Sequence, residues 1–146
     1  MIFNSPARIT QYFGENPEYY SIFYLLGHDG LDIVPTGMDW TVNAGVSGKV
    51  VAAYESSDYG LTIITFDPLS RLAVRYAHLA EYNVDTNYWL KQGERLGVMG
   101  DTGNTTGSHL HVHCVPMIDE DKKMYPDNGY KGRFDILPLL KHLRMI

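Results

Sequence analysis

The sequence predicts a single all-β domain, and three observations support this prediction. Short runs of β-type residues recur between Gly, Asn, Asp and Pro turn signals along most of the chain. The connections between these runs are mostly too short for helical crossovers, which favours antiparallel pairing. Helical periodicity is scarce, whereas the 146 residues include 14 glycines and 11 tyrosines. This length fits one compact domain, and we expect residues 1–146 to form it.

Eight candidate strands follow one another along the chain. Each is rich in β-branched, aromatic or aliphatic residues and is bounded by turn-forming residues. In chain order they are Arg8–Phe13, Gly30–Val34, Thr41–Ala44, Gly48–Tyr54, Leu61–Phe66, Leu72–His78, Arg95–Met99 and His109–Val115.

Three other segments break the β pattern. Tyr82–Leu90 is predicted to hold a short helical turn. Asp135–Leu143 predicts a short closing helix, because Asp135 suits an N-cap and Pro138 falls in the first turn. The polar segment Met117–Arg133 is predicted to be a surface loop.

Composition and charge exclude several classes of protein. A net charge of -5 and a pI near 5.6 argue against binding of nucleic acid or anionic membrane through a basic patch. The single cysteine, Cys114, allows no intrachain disulfide. No apolar stretch reaches the roughly 18–20 residues that a membrane span needs. The segment Met1–Pro6 lacks the features of a signal peptide, so a target outside the cell implies delivery by a phage particle, a holin-type route or a longer parent chain.

Three histidines alternate in the run His109–His113. In a strand they point to one face, while the apolar residues between them and Cys114 point to the other face and join the core. Three alternating imidazoles are rare by chance, and a His-x-His pair on a strand is a frequent metal or catalytic device.

A second cluster combines His28 with Asp32, and both residue types are good zinc ligands. Fully extended, the segment would separate the two side chains by about 13 Å. Ligands of one zinc ion lie within roughly 3–4 Å of each other, so the segment must bend. Gly27 and Gly30 allow the backbone conformations of such a bend, and Asp29 is expected to face solvent. Taken alone, this pattern also suits an ordinary polar loop.

A third candidate, His78, closes an apolar strand. Tyr76 is expected on the same face, where the two side chains would share one wall of a groove. Five other aromatic residues are candidates for the lining of such a groove, namely Tyr19, Tyr20, Phe23, Tyr24 and Tyr59. Ordinary packing is the better explanation for most of these residues. His142, in the closing helix, is expected to be a surface residue.

Together these motifs resemble those of the lysostaphin-type (LytM-like) peptidoglycan endopeptidases, a zinc-dependent family. The resemblance rests on His28-x-Gly30-x-Asp32, Tyr76–Leu79 and Thr102–His111, in that order and spacing. Supporting segments are Ile9–Gly14, Val46–Val51 and Lys91–Gly97. The resemblance implies an open antiparallel β-sheet with a substrate groove.

The resemblance also implies roles for particular residues. His28, Asp32 and His111 would hold Zn²⁺, and His78 and His109 would be the catalytic histidines. All five positions are kept, which favours an active enzyme that hydrolyses peptide bonds in the bacterial cell wall. Three protein ligands leave one zinc position open for a water molecule, as in catalytic sites. No His-Glu-x-x-His motif supplies a glutamate base, and histidine is the natural substitute because its pKa lies near neutrality.

One residue departs from the family pattern, and two rival functions stay open. The position of His113 is often acidic or small in the family, and we expect a role behind the zinc ligands or in the groove wall. The first rival function is a non-catalytic wall-binding module on the same fold. The second is a structural protein of a phage particle. The sequence leaves open which wall peptide bond would be cut.

Overall fold

The computed structural model describes residues 1–146 and consists mainly of β-strands, which confirms the predicted all-β class. All eight predicted strands are present, with ends that differ by a few residues. The ten strands are β1 Ala7–Gln11, β2 Leu31–Pro35, β3 Thr41–Asn43, β4 Gly48–Ser56, β5 Gly60–Asp67, β6 Leu72–Tyr82, β7 Trp89–Leu90, β8 Arg95–Met99, β9 Leu110–Asp119 and β10 Lys122–Lys123. The two-residue strands β7 and β10 are additions to the prediction.

Helical structure is limited to short segments. Helix α1 spans Pro17–Tyr20 and continues into a 3-10 turn at Ser21–Phe23; neither was predicted from the sequence. The predicted closing helix is present as α2, Leu137–His142. The N-cap position is Ile136, so the prediction that Asp135 is the N-cap is wrong by one residue. Asp135 nevertheless lies next to the N-cap, and its Oδ1 accepts a hydrogen bond from the N–H of Leu137 at 2.9 Å. No helix in the structure is long and apolar enough to cross a membrane.

The strands form one open antiparallel sheet in the order β1-β2-β9-β6-β5-β4-β7. The long strand β6 lies at its centre, between β9 and β5, and its end also pairs with β8, which carries β3. The short strand β10 folds back on β9. In this register His111 of β9 lies opposite Asp32 of β2 on one side and Ala77 of β6 on the other. Three neighbouring strands therefore meet around one histidine.

One face of the sheet holds the hydrophobic core. Residues from the N-terminus and from α2, such as Phe3 and Leu140, pack against the apolar side chains of this face. Cys114 belongs to the same core, as predicted. The opposite face is open, and it carries His111 and His113 of β9 as well as His109, which directly precedes the strand.

A β-bulge in β6 separates Tyr76 from His78, so the prediction that they share a groove wall is wrong. Tyr76 pairs with Ile63 of β5. Leu79 pairs with Leu61, which leaves one extra residue in β6. The bulge re-aims the side chains that follow it. Tyr76 is fully buried in the core, where its hydroxyl accepts a backbone hydrogen bond, whereas His78 turns to the open face.

Two further predictions about local structure are corrected. Tyr82–Leu90 contains no helical turn; it finishes β6, makes a turn with Asn87 at φ 71°, and forms β7 beside β4. Backbone hydrogen bonds between this segment and Val50 hold it against the sheet, which a helix would not allow. Met117–Arg133 is only partly a loop, because β9 continues to Asp119 and β10 pairs with it.

Candidate metal and catalytic centre

Three buried side chains converge at the open face of β2 and β9. Asp32 Oδ1 lies 2.9 Å from His111 Nδ1 and 3.2 Å from His28 Nε2. The two ring nitrogens are 3.2 Å apart. Ligand atoms bonded to one tetrahedral zinc ion at about 2.0–2.1 Å are roughly 3.3 Å from each other. The donor atoms of these residues therefore have the spacing of the ligands of one zinc ion.

Strand pairing positions Asp32 and His111, and a hydrogen bond to the backbone positions His28. Asp32 and His111 lie directly opposite each other in β2 and β9. His28 precedes β2, and its Nδ1 lies 3.1 Å from the carbonyl oxygen of Tyr12. Because a carbonyl only accepts, Nδ1 carries the hydrogen of the neutral ring and Nε2 keeps a lone pair for a metal.

The bend before β2 depends on close packing at Gly27 and Gly30. The expected role of these glycines in backbone conformation is wrong, since neither has a positive φ. A Cβ on Gly27 would lie 2.3 Å from the carbonyl oxygen of Gly14. A Cβ on Gly30 would lie 2.5 Å from Cε1 of His111 and 2.8 Å from the carbonyl oxygen of Val112. The imidazole of His111 therefore rests directly on Gly30.

We expect Gly30→Ala to weaken zinc binding and to lower the free energy of unfolding by about 1–3 kcal/mol, as overpacking of a dense site does. The added methyl group must displace the His111 ring or the backbone at Val112. Gly107→Ala is the matched control, because a Cβ there meets nothing within 4 Å. Zinc content and urea unfolding of both variants test this, and equal zinc content in the two would contradict it.

The carboxyl group of Asp32 is ionised. Burial opposes its ionisation, but hydrogen bonds from His111 and His28 outweigh burial and hold the pKa of Asp32 well below its usual range. Burial also lowers the pKa of His28, yet its contacts with Asp32 outweigh this effect and raise that pKa. A proton on His28 is therefore stabilised in the absence of metal, and metal binding must release it.

Asp29 is buried, so the expectation that it faces solvent is wrong. Its Oδ2 forms an ion pair with Arg133 at 3.2 Å and accepts a hydrogen bond from the Tyr59 hydroxyl at 3.2 Å. Arg133 was not predicted from the sequence, because the residue lies far along the chain in a polar segment with no motif. The available signal for Asp29 was its position in the sequence, between Gly27 and Gly30 and between the candidate ligands His28 and Asp32.

Asp29 also forms an alternative cluster with His28 and His111, whose donor atoms all lie within 4.8 Å of one another. Its Oδ1 lies 3.8 Å from Nε2 of His111, farther than Asp32 lies from Nδ1 of the same ring. The Arg133 guanidinium already neutralises Asp29. Asp32 is therefore the better placed carboxylate for a metal.

His113 lies directly behind His111. Its Nδ1 is 3.1 Å from Nε2 of His111, and the residue is 3% exposed. Burial lowers the pKa of His113 well below its usual range, and the neighbouring cations act in the same direction. A neutral His113 accepts a hydrogen bond from Nε2 of His111, so that Nδ1 of His111 can exchange its hydrogen bond to Asp32 for a metal.

We expect His113→Gln to retain zinc with an affinity about 10–100-fold lower, the usual cost of losing a hydrogen-bond partner behind a ligand. The glutamine carbonyl preserves an acceptor but not the fixed position of the imidazole. His142→Gln, on the exposed end of α2, is the control. Competition with a chromogenic chelator measures both affinities. A metal-free His113→Gln protein would place the ligands one strand step further along β9.

Two more histidines lie beside the cluster, with the rings of His78 and His109 centred 4.8 Å apart. Nδ1 of His78 lies 2.7 Å from the Thr102 carbonyl oxygen, and Nδ1 of His109 lies 2.9 Å from that of Gly107. In both neutral rings Nδ1 thus carries the hydrogen, and Nε2 is left with a lone pair. Nε2 of His109 is 3.5 Å from Oδ2 of Asp32. Both histidines border the centre without belonging to the three-atom cluster.

The bulge holds His78 in a left-handed conformation with φ 60°. Such backbone strain typically costs about 1–3 kcal/mol and persists where surrounding contacts enforce it. Thr102 supplies those contacts: its carbonyl binds the His78 ring, and its hydroxyl donates to the carbonyl of Leu79 and accepts from the N–H of Leu61. The loop before His109 thus fixes the orientation of His78.

Acid should destabilise the metal-free protein partly through His78. Burial lowers the pKa of His78 from 6.5 to about 4. Between these values the unfolded chain binds a proton that the folded protein does not, so stability falls as pH falls. We expect a shallower fall in His78→Gln over the same window. Urea unfolding in the presence of a chelator measures this, and parallel pH curves for the two proteins would contradict it.

A groove of about 410 Å³ opens over the centre. The candidate catalytic pair and the three candidate ligands all line it, as expected of a substrate groove. Four of the five aromatic candidates also line it, namely Tyr19, Tyr20, Phe23 and Tyr59. Tyr24 does not; it is 89% exposed and points away, so this expectation is wrong.

Comparison with known proteins places the chain among peptidases. Residues 26–124 match the sequence profile of peptidase family M23. Lysostaphin of Staphylococcus simulans is 36% identical over 85 residues, which cover 51% of this chain and 17% of lysostaphin. The peptidoglycan DD-endopeptidase ShyC of Vibrio cholerae serotype O1 is 32% identical over 90 residues, which cover 60% of this chain and 20% of ShyC. The matches thus span about a fifth of the length of these relatives.

Solved structures agree with the sequence comparison. The catalytic domain of the antimicrobial peptidase lysostaphin from Staphylococcus simulans has a TM-score of 0.65 at 28% identity, with 79% of this chain and 80% of that domain covered. A zinc-containing peptidase from Vibrio cholerae has a TM-score of 0.62 at 27% identity, with 78% of this chain and 36% of that chain covered. The resemblance drawn from the sequence motifs is confirmed, and the chain belongs to peptidase family M23.

Proposed function

We propose that the protein is a zinc-dependent endopeptidase that hydrolyses peptide bonds in bacterial peptidoglycan. The observation that carries this proposal is the convergence of His28 Nε2, Asp32 Oδ1 and His111 Nδ1 to within 3.2 Å of one another, beside His78 and His109 in one groove. The similarity to ShyC, named a peptidoglycan DD-endopeptidase, supports the substrate class. We also propose that residues 1–146 act as one domain.

The three converging residues would hold the metal. Two neutral imidazoles and one ionised carboxylate leave the site with a net positive charge once a divalent ion is bound. When bound, zinc polarises a scissile carbonyl and makes a water molecule more acidic. The hydrogen bonds to Tyr12 and His113 fix which nitrogen of each imidazole faces the metal position.

His78 and His109 would move protons. Each presents a lone pair on Nε2 to the groove, because its Nδ1–H is held by a backbone carbonyl. Burial lowers the pKa of His78 to about 4, so His78 is neutral near pH 7 and its Nε2 can accept a hydrogen bond. His109 lies nearer Asp32, whose negative charge stabilises an imidazolium formed during the reaction.

Digestion of purified peptidoglycan of several chemotypes tests the proposed function. We expect the zinc-loaded protein to release peptide fragments with new amino termini, and the masses of these fragments identify the cleaved bond. Glycyl bridges and stem-peptide links such as D-alanyl-diaminopimelate are the alternatives. A zinc-loaded protein that cuts no chemotype but binds one would be the non-catalytic wall-binding module. Association with a phage particle stays a prediction from the sequence.

A further inference from the structure

A second cavity of about 380 Å³ lies on the same open face of the sheet. We call it the cationic groove and define it by Lys49, Arg75, His113, Lys123 and Arg133. Arg133 also lines the groove above the metal centre, and His113 contacts His111. The cationic groove therefore adjoins the groove above the metal centre.

The charges around the cationic groove are unbalanced, although the whole chain has a net charge of -5. Lys49 pairs with Glu120 at 3.1 Å, and Arg133 pairs with Asp29 at 3.2 Å. Arg75 has no acidic partner, and Nζ of Lys123 is bonded only to the carbonyl of Lys131. The remaining carboxylate of the lining, Asp121, lies at the exposed rim. Arg75 and Lys123 thus lack acidic partners, and the exposed Asp121 is the one carboxylate of the lining that remains to offset them.

Arg75 is held in place for an external partner. Its guanidinium stacks over the ring of Tyr59 at 4.3 Å and lies 5.9 Å from that of Tyr54. Its Nε is shielded from solvent and has no hydrogen-bond acceptor, and the same is true of Nε of Arg133. Because Nε is shielded, a bound anion would contact the two terminal NH₂ groups of the Arg75 guanidinium.

The lowered pKa of Lys123 reflects the same excess of positive charge. Burial lowers its pKa, and repulsion from Arg133 and Arg75 lowers it further. An anion bound between these groups would remove that repulsion. A guanidinium with a free edge binds carboxylate and phosphate oxygens through paired hydrogen bonds.

We propose that the cationic groove binds a carboxylate of the wall stem peptide and thereby selects substrates with a free carboxylate near the cleaved bond. This proposal rests on the proposed function. The ring of Tyr59 links the two grooves, since it lies 4.3 Å from the Arg75 guanidinium and 5.8 Å from the ring of His111.

Calorimetric titration with two synthetic stem peptides tests the proposal. One peptide carries free carboxylates, and the other carries the same groups as amides. We expect the zinc-loaded wild type to bind the acid form about tenfold more tightly, as the loss of a charged hydrogen bond typically costs. The preference should fall to near equality in Arg75→Gln and should shrink in Lys123→Gln. Lys141→Gln, an exposed lysine on α2, should keep it.

This experiment distinguishes failure of the carboxylate proposal from failure of the proposed enzymatic function. A carboxylate can also bind zinc, but the zinc site is the same in the wild type and in Arg75→Gln. The difference in acid preference between these two proteins therefore measures the contribution of the cationic groove. An equal acid preference in the wild type and in both groove variants would overturn the proposal, even if the wild type digests walls. A preference lost in Arg75→Gln, in a protein that digests no wall, would support the groove and contradict the enzyme. Inorganic phosphate is the third ligand: Arg75-dependent binding of phosphate, without any acid preference among the peptides, would overturn the carboxylate assignment.

Discussion

Alanine in place of His109 or His78 should leave zinc content unchanged and lower the rate of wall hydrolysis by about 10²–10⁴-fold, the usual loss when a positioned acid or base is removed. Neither ring belongs to the cluster of Asp32, His28 and His111 whose atoms have the spacing of zinc ligands. Each nevertheless lines the groove and presents Nε2 to it. We therefore expect the two histidines to contribute to proton transfer rather than to metal affinity.

Turbidity clearance of susceptible cell walls measures this loss, alongside zinc content and circular dichroism of each variant. His142→Ala is the control, since this histidine is exposed on α2 and remote from both grooves. His78→Gln is a useful companion to His78→Ala, because glutamine keeps a side chain in the bulge that can bind the Thr102 carbonyl. Undiminished clearance by a folded, zinc-loaded variant would remove that histidine from the mechanism.

Loss of the metal is the expected result of His111→Ala. Its Nδ1 lies closest to the carboxylate of Asp32, at 2.9 Å, and its Nε2 contacts His113. Loss of a hydrogen-bond partner behind a ligand already weakens metal binding by about 10–100-fold, and loss of the ligand itself should exceed this. We expect a protein that retains little zinc after dialysis and clears no wall.

Elemental analysis of His111→Ala and of His113→Gln, purified in parallel, separates ligand from supporting residue. Only the first variant should lose its zinc. Retention of one zinc ion per chain in His111→Ala would contradict both candidate clusters, because each of them contains His111.

The predictable part of the fold was the part governed by local pattern. Alternation along β9 placed His111 on the open face and Cys114 in the core, because side chains in a regular strand alternate strictly. The closing helix was predictable from Asp135 and Pro138, whose effects on the first turn are local.

The errors arose where tertiary contacts override local pattern. A one-residue bulge in β6 placed Tyr76 in the core and His78 on the open face, instead of both on one face. Nothing in the sequence of that strand marks the bulge. The turn at Asn87 is held by hydrogen bonds to Val50 of another strand. These contacts are not visible in the local sequence, which on its own suggested a helical turn. Arg133 reaches Asp29 only because the chain after β10 returns to the centre.

For the candidate site, the residue motifs predicted which side chains would meet but not what supports them. The spacing from His28 to Asp32 required a bend. The structure shows that the bend depends on contacts at Gly27 and Gly30 rather than on left-handed backbone. Contacts of this kind join segments far apart in the chain, and a single sequence does not encode them as a local pattern.

Titration of the metal-stripped wild-type protein with zinc is the most direct test of the central claim. The release of peptide fragments from purified peptidoglycan should be absent without metal and should rise in proportion to added zinc until one ion per chain is bound at His28, Asp32 and His111. His111→Ala, titrated alongside, should stay inactive. Full hydrolysis by the metal-stripped protein in excess chelator, or none at one zinc ion per chain on any wall chemotype, would contradict the assignment of this chain as a zinc endopeptidase.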